Sequence, residues 1–257
     1  QHLSWVHPKT IKALCIEKVG YLSKKTVIYV GKQDPKTLKI IQTILKKNPS
    51  KKKFYGKEWI LKTKNKKVIY QDDKEKIILK SNKIFSEGVW QNVGLAIRVA
   101  RDLGISKKEI LAAIPKIFFE GRVQYIKSGK LKKLLYSNEK LMIDGCHSNE
   151  SAKNLAIYLK TLNKDIYGIW GMQSNRQPKQ FLKNFEGIFK EIITVKIPDE
   201  PNSCSPKTLQ KISNQLGIKC HTAKDTNSAL LKLSSKKEKI IVGFGSLYLV
   251  GNFLKLN

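Results

Sequence analysis

Four short motifs carry residue types that do chemistry. Asp144-Gly145-Cys146-His147 follows directly on the apolar run Leu141-Met142-Ile143. A carboxylate and an imidazole at the exit of a buried strand can hold a proton or orient a substrate. The same residues also suit a polar turn that caps the next helix. Glu120-Gly121-Arg122 places a glycine, which lets the backbone turn closely, before a guanidinium, which grips phosphate through paired N–H groups. The plainer alternative is a salt-bridging turn between domains. Glu17-Lys18-Val19-Gly20 puts a lysine late in a helix, where its ordinary role is to offset the C-terminal dipole. Gly243-Phe244-Gly245-Ser246-Leu247-Tyr248 is a glycine-rich turn of the kind that presents backbone N–H groups to anions. It lacks the third glycine of a dinucleotide fingerprint, and a close-packed strand-to-helix turn explains it equally. No G-x-x-x-x-G-K-[ST] phosphate loop occurs: Gly31-Lys32-Gln33 and Gly56-Lys57-Glu58 lack both the upstream glycine and the hydroxyl.

The elements that must position these residues follow from periodicity. Apolar positions Ile11, Leu14, Cys15, Val19 and Leu22 have helical spacing. Residues 26–31 (TVIYVG) read as a buried strand, and Asp34-Pro35 opens a helix to Leu45. Residues 48–56 read as a Lys-rich loop and 57–81 as a small antiparallel patch. Helices are expected over 86–104 and, capped by Ser106, to about Pro115. Beyond Arg122, strand-like runs (131–136, 140–144, 166–171, 191–197, 218–221, 239–243) alternate with helical ones (150–162, 178–189, 205–216, 224–235, 246–256). That alternation predicts a mostly parallel, doubly wound α/β sheet, whose ligands sit at the carboxyl ends of the strands. A domain boundary is expected near residue 120.

Composition excludes several classes. The 257 residues are 41% hydrophobic, enough for a sizeable core, and no apolar run approaches the ~18–20 residues of a membrane span. The net charge is +30, which invites a polyanionic partner. Yet only Arg98, Arg101, Arg122 and Arg176 among the 50 basic residues are arginine, and the lysines are spread along the chain. Nucleic-acid readers lean on arginine, so nucleic acid is disfavoured as a partner. A cationic surface can instead steer ATP or a polyglutamate tail. Cys15, Cys146, Cys204 and Cys220 form no C-x-x-C pair and read as reduced cytosolic thiols.

In order, the motifs resemble the folylpolyglutamate synthase/dihydrofolate synthase family, relatives of the Mur ligases. Gln1 to Gly20 resembles the family's Asp-His segment and Glu-Lys-Ala-Gly helix, with Gln1 where the family has Asp. Asn92-Val93-Gly94-Leu95-Ala96 resembles Asn-Ala-x-x-Ala, and Glu120-Gly121-Arg122-Val123-Gln124 resembles Pro-Gly-Arg-x-Gln. Residues 144–152 resemble Asp-Gly-Ala-His-Asn-Pro-Glu-Ser-Ala, with Ser148-Asn149 in place of Asn-Pro. Gly171-Met172 follows the next strand, as in the family, and Gly245 to Gly251 closes the match.

The resemblance implies a fold and a set of roles. Residues 1–120 would be the C-terminal part of a P-loop-type ATPase domain without its phosphate loop. Residues 121–257 would be a Rossmann-like glutamate-ligase domain. His2 and a carbamylated Lys18 would hold magnesium. Asn92 and Asp144 would contact ATP, Asp144 at the ribose. Arg122 would grip its phosphates, and His147 and Ser246 would meet the incoming glutamate. Lys18, Arg122 and His147 would be catalytic. The implied reaction joins L-glutamate to dihydropteroate or folate at the expense of ATP, in a cytoplasmic monomer with no membrane partner. As a fragment, the chain alone is expected to be inactive. A Mur-type ligase and a non-catalytic basic nucleic-acid-binding protein are the alternatives.

Overall fold

A computed structural model describes residues 6–64, 67–81 and 83–257. The chain divides into two compact units, Gln1–Phe118 and Phe119–Asn257. Among the described residues no helix is long and apolar enough to cross a membrane.

In the first unit, Thr10 caps helix α1 (Ile11–Val19), and Asp34 caps α2 (Pro35–Leu45) with Pro35 in its first turn. Strand β1 (Ile28–Val30) pairs in parallel with β2 (Lys52–Phe54). Cys15, Ile28, Val30, Ile41 and Leu45 form the core between these elements. Strands β3 (Trp59–Lys64), β4 (Lys67–Asp72) and β5 (Lys76–Leu79) make an antiparallel meander. Against it packs α3 (Glu87–Asp102), which buries Trp90, Val93, Gly94, Ile97 and Arg98. Their spacing is that of one helical face. Helix α4 (Lys107–Ala113) begins with a capping box between Ser106 and Glu109.

One polar cluster, centred on the buried Arg98, ties this unit together. The Arg98 guanidinium donates to Asp102, and to Asp73 Oδ1 at 2.8 Å. Tyr29 Oη (2.7 Å) and Lys53 Nζ (2.6 Å) donate to Asp102 Oδ2. Arg101 bonds Asp72 and Glu75. Thus α3 is fastened at once to β1, β2 and the β4–β5 turn. Burial alone would raise the Asp102 carboxyl. The hydrogen bonds from Arg98, Lys53 and Tyr29 outweigh it and hold the group well below the usual carboxylate range. Burial and Asp102 together push the Tyr29 phenol up to about 12.

In the second unit, six strands lie in one sheet. They are β6 (Gln124–Ile126), β7 (Glu139–Asp144), β8 (Ile166–Trp170), β9 (Phe189–Thr194), β10 (Cys220–Thr222) and β11 (Lys239–Phe244), in the spatial order β10-β9-β8-β11-β7-β6. All pairs are parallel except β6 with β7. Helices α6 (Asn149–Lys160), α7 (Pro178–Lys183) and α8 (Pro206–Gln215) cover one face. Helices α5 (Lys130–Lys133), α9 (Thr226–Leu233) and α10 (Leu247–Leu256) cover the other. With both faces buried, successive residues of one strand serve opposite cores: Met142 one, Leu141 and Ile143 the other. Phe244 packs on Phe189 with ring centroids 4.8 Å apart and on Phe185 at 5.1 Å. This is the doubly wound α/β fold expected from the alternation.

Three local expectations are corrected. Residues 131–136 do not form a strand. Leu131, Leu134 and Leu135 have helical spacing, and the segment is α5 followed by a turn. The strand lies upstream at β6. The helix expected over 178–189 ends at Lys183, because Phe189 opens β9 as part of the aromatic core. The 48–56 loop contains β2, whose pairing with β1 is a long-range event that its lysines do not announce.

Candidate functional site

Strand register brings the candidate residues of the second unit together. Phe244 lies opposite both Asp144 on β7 and Trp170 on β8. The turns that follow, Gly145-Cys146-His147, Gly245-Ser246 and Gly171-Met172, therefore leave the sheet side by side at its carboxyl edge. Ser148 caps α6, accepting from Ser151 N–H, and Ser246 caps α10, accepting from Tyr248 N–H at 3.1 Å. Two helix N-termini thus open at this edge.

The Gly121 turn joins the same edge. Gly145 N–H donates to Gly121 O at 2.7 Å. Val123 N–H donates to Asp144 Oδ2 at 2.9 Å, and Cys146 N–H donates to Asp144 Oδ1 at 2.8 Å. Gly121 has φ +66, and a Cβ there would lie 2.5 Å from Val250 Cγ1, so only glycine fits. Gly245, with φ +108, is equally constrained: a Cβ would lie 2.6 Å from Gly171 O and from the Trp170 ring. The close-packed reading of the Gly243–Tyr248 turn is therefore correct as far as it goes. The same tightness aims the first turn of α10.

Arg122 is half-buried, and a Cβ on Gly145 would lie 3.4 Å from its Nη1. Among the described residues its guanidinium makes no hydrogen bond or ion pair, whereas Arg98 and Arg101 are consumed by acids. His147 is half-buried, with Nδ1 2.8 Å from Gly145 O. A carbonyl can only accept, so Nδ1 carries the proton and Nε2 is left for another partner. Burial raises the Asp144 carboxyl above its ordinary value, against the pull of Val123 N–H, the Arg122 charge and Cys146 N–H. Both its oxygens already accept; a ribose hydroxyl would have to use their remaining lone pairs. Burial, then Asp144, pushes the Cys146 thiol far up, against Gly245 N–H and Arg122, so it is an inert filler of the site. Ser246 is only 2% exposed, with its hydroxyl oxygen engaged in the cap.

An unpaired guanidinium, an imidazole with a free nitrogen and two helix N-termini at one sheet edge can bind anions and stabilise developing negative charge. Four residues singled out in the sequence, Arg122, Asp144, His147 and Ser246, lie at this edge, and Val123 and Gln124, which fasten the turn, were not among those singled out. Gln124 Oε1 accepts from Gly121 N–H at 2.7 Å. The one signal for it was its place in the 120–124 motif.

The other candidates lie in the first unit or outside the description. Lys18 is exposed in the last turn of α1, and Asn92 is exposed on α3. His2 lies outside the described residues. Among the described residues no three His, Cys, Asp or Glu side chains converge on a metal position.

Residues 127–256 match the sequence model of the dihydrofolate synthetase C-terminal domain. The fold is similar to that of Escherichia coli FolC in complex with DHPP and ADP: TM-score 0.80 at 17% identity, covering 99% of this chain and 58% of that one. It is similar to folylpolyglutamate synthase of Thermotoga maritima, with TM-score 0.74 at 20% identity, over 98% of this chain and 60% of that one. It also resembles the Yersinia pestis bifunctional folylpolyglutamate synthase/dihydrofolate synthase with Mn, AMPPNP and L-glutamate bound, with TM-score 0.76, 15% identity, and 95% and 56% coverage. The chain thus spans less than two thirds of each of these relatives. No curated protein matches it in sequence.

Proposed function

The chain belongs to the family of the dihydrofolate synthetase C-terminal domain, and on that premise we propose that it is the glutamate-side part of an ATP-dependent ligase joining L-glutamate to dihydropteroate or to a folate γ-carboxylate. The observation that carries the reading is the Arg122 guanidinium, without a hydrogen bond or ion pair among the described residues, beside Gly145, whose carbonyl holds His147 at the sheet's carboxyl edge. Relatives of similar fold are described with ADP, AMPPNP, Mn and L-glutamate bound.

A carboxylate is a poor acyl donor, and phosphoryl transfer from ATP converts it to an acyl phosphate that an amine can attack. Arg122 faces the transferring phosphate and neutralises charge as it builds. His147, held through Nδ1, presents Nε2 toward the glutamate end. The α10 N-terminus at Ser246 is oriented for a carboxylate of the incoming amino acid. Asn92, on an exposed face of α3, is assigned to the nucleotide. Most of the rate enhancement in such a site comes from positioning. A cytoplasmic location fits the four free thiols.

Lys18 is assigned as a carbamylated lysine, whose carbamate oxygens are the hard ligands that a divalent ion such as magnesium takes. Its exposure leaves it open to CO₂. Among the described residues no three His, Cys, Asp or Glu side chains gather to complete such a site.

Hydroxylamine tests the chemistry in the full-length protein. With ATP, magnesium and the pteroate acid but no glutamate, a hydroxamate should accumulate; none would count against an acyl phosphate. Lys18→Ala should depress the yield, and short carboxylates should restore part of it. An absence of recovery would argue against carbamylation.

A further inference from the structure

We propose that Asp144 is a positioning residue that acts on the reaction through Arg122. The proposal rests on the reading of Arg122 as the group that grips phosphate. Arg122 sits between two pinned residues. On one side, Gly121 O accepts from Gly145 N–H and Gly121 N–H donates to Gln124 Oε1, both at 2.7 Å. On the other, Val123 N–H donates to Asp144 Oδ2 at 2.9 Å. The second Asp144 oxygen accepts from Cys146 N–H at 2.8 Å, so one carboxylate spans the Arg122 turn and the His147 turn.

Val123 has φ 47, left-handed backbone that a β-branched residue avoids. Such a conformation persists only when its surroundings over-determine it. The Asp144 carboxylate supplies that constraint directly, by accepting the Val123 N–H. Asp144 itself is 6% exposed. With the backbone on both sides of Arg122 fixed, the guanidinium is carried to Gly145, within reach of the same turn that holds His147 through Gly145 O. Without the carboxylate, Val123 is free to relax to a common conformation, and Arg122 swings away with it.

The test is a double-mutant cycle on glutamate ligation by the full-length protein. Asp144→Ala should lower kcat by about 10²-fold, the size expected for a displacement of about 1 Å. In an Arg122→Ala background the same change should add less than about 3-fold, because its route to the reaction is already gone. The penalty should be equal with ATP and with 2′,3′-dideoxy-ATP. Asp144→Asn, which keeps one acceptor and sets an amide N–H against the other donor, should give an intermediate loss; it carries the cycle if the alanine variant does not fold. Additive losses, or a penalty that disappears with the dideoxy nucleotide, would overturn the proposal. The latter is the signature of a direct ribose contact. An unchanged turnover in Arg122→Ala alone would overturn this inference and the functional reading together. A large Arg122 effect with additive Asp144 losses would overturn only this one.

Discussion

Arg122→Ala in the full-length protein should cut turnover in ATP-dependent glutamate ligation by ~10² or more, the usual cost of losing one preorganised group that stabilises transition-state charge. The loss should fall mainly on kcat, since charge on the transferring group is greatest in the transition state. The fold should survive. Among the described residues the Arg122 guanidinium makes no hydrogen bond or ion pair, so its removal orphans no hydrogen-bond partner; it withdraws one charge that favours the Asp144 carboxylate, and at most a small drop in melting temperature should accompany the lost activity. Arg122→Lys should recover only part of the rate, because an ammonium keeps the charge and loses the two-pronged geometry. Turnover unchanged in Arg122→Ala would remove the observation on which the functional reading stands.

The second large effect is on stability. Asp102→Ala removes the acceptor shared by Arg98, Lys53 and Tyr29. The Arg98 side chain is only 6% exposed and the Asp102 side chain 18%, so a buried charge loses its main counter-charge. The expected cost is about 3 kcal/mol, the low end for breaking a buried ion pair, since Asp73 still meets Arg98. Denaturant unfolding followed by Trp59 and Trp90 fluorescence would measure it. The pH dependence has a definite sign. Asp102 is held well below its ordinary value in the fold. Its contribution is therefore present in full above the unfolded value near 3.9 and fades as pH falls below that, through the folded value. Wild-type stability should fall toward that of Asp102→Ala in strong acid. A constant gap between the two at all pH values would contradict the account.

The sequence was most legible where local and global signals agreed. The run Leu141-Met142-Ile143 before Asp144, the Ser148 cap and the following amphipathic helix all point one way, and β7 and α6 stand there. The glycine-bracketed turn before α10 was legible for the same reason. Elements of three residues were not. β2 is built from Lys52-Lys53-Phe54 and exists through its pairing with Ile28 to Val30. β6 starts on the last residue of a motif that reads as a turn, and its antiparallel pairing with β7 is a tertiary fact. The 131–136 segment was misread because apolar density outweighed period: Leu131, Leu134 and Leu135 are one helical stripe. At the candidate site, residue types drew attention to Arg122, Asp144 and His147, which the fold places at one sheet edge. The backbone N–H of Val123 as a partner of Asp144 was not legible, because nothing in a valine announces a left-handed conformation.

The basic surface leaves a direct contest between the two main readings of this chain. Net charge of +30 would give salt-dependent binding to nucleic acid in a polyanion-binding protein, whereas the proposed role of the edge that carries Arg122 and His147 is to bind small anions. The decisive measurement is incorporation of labelled L-glutamate by the full-length protein, with dihydropteroate, a reduced folate or a UDP-sugar peptide offered as acceptor. The account predicts glutamylated pteroate or folate formed one-for-one with ADP, and no product from the UDP-sugar peptide. ATP-independent nucleic-acid binding with no glutamyl product on either pteroate or folate would contradict it.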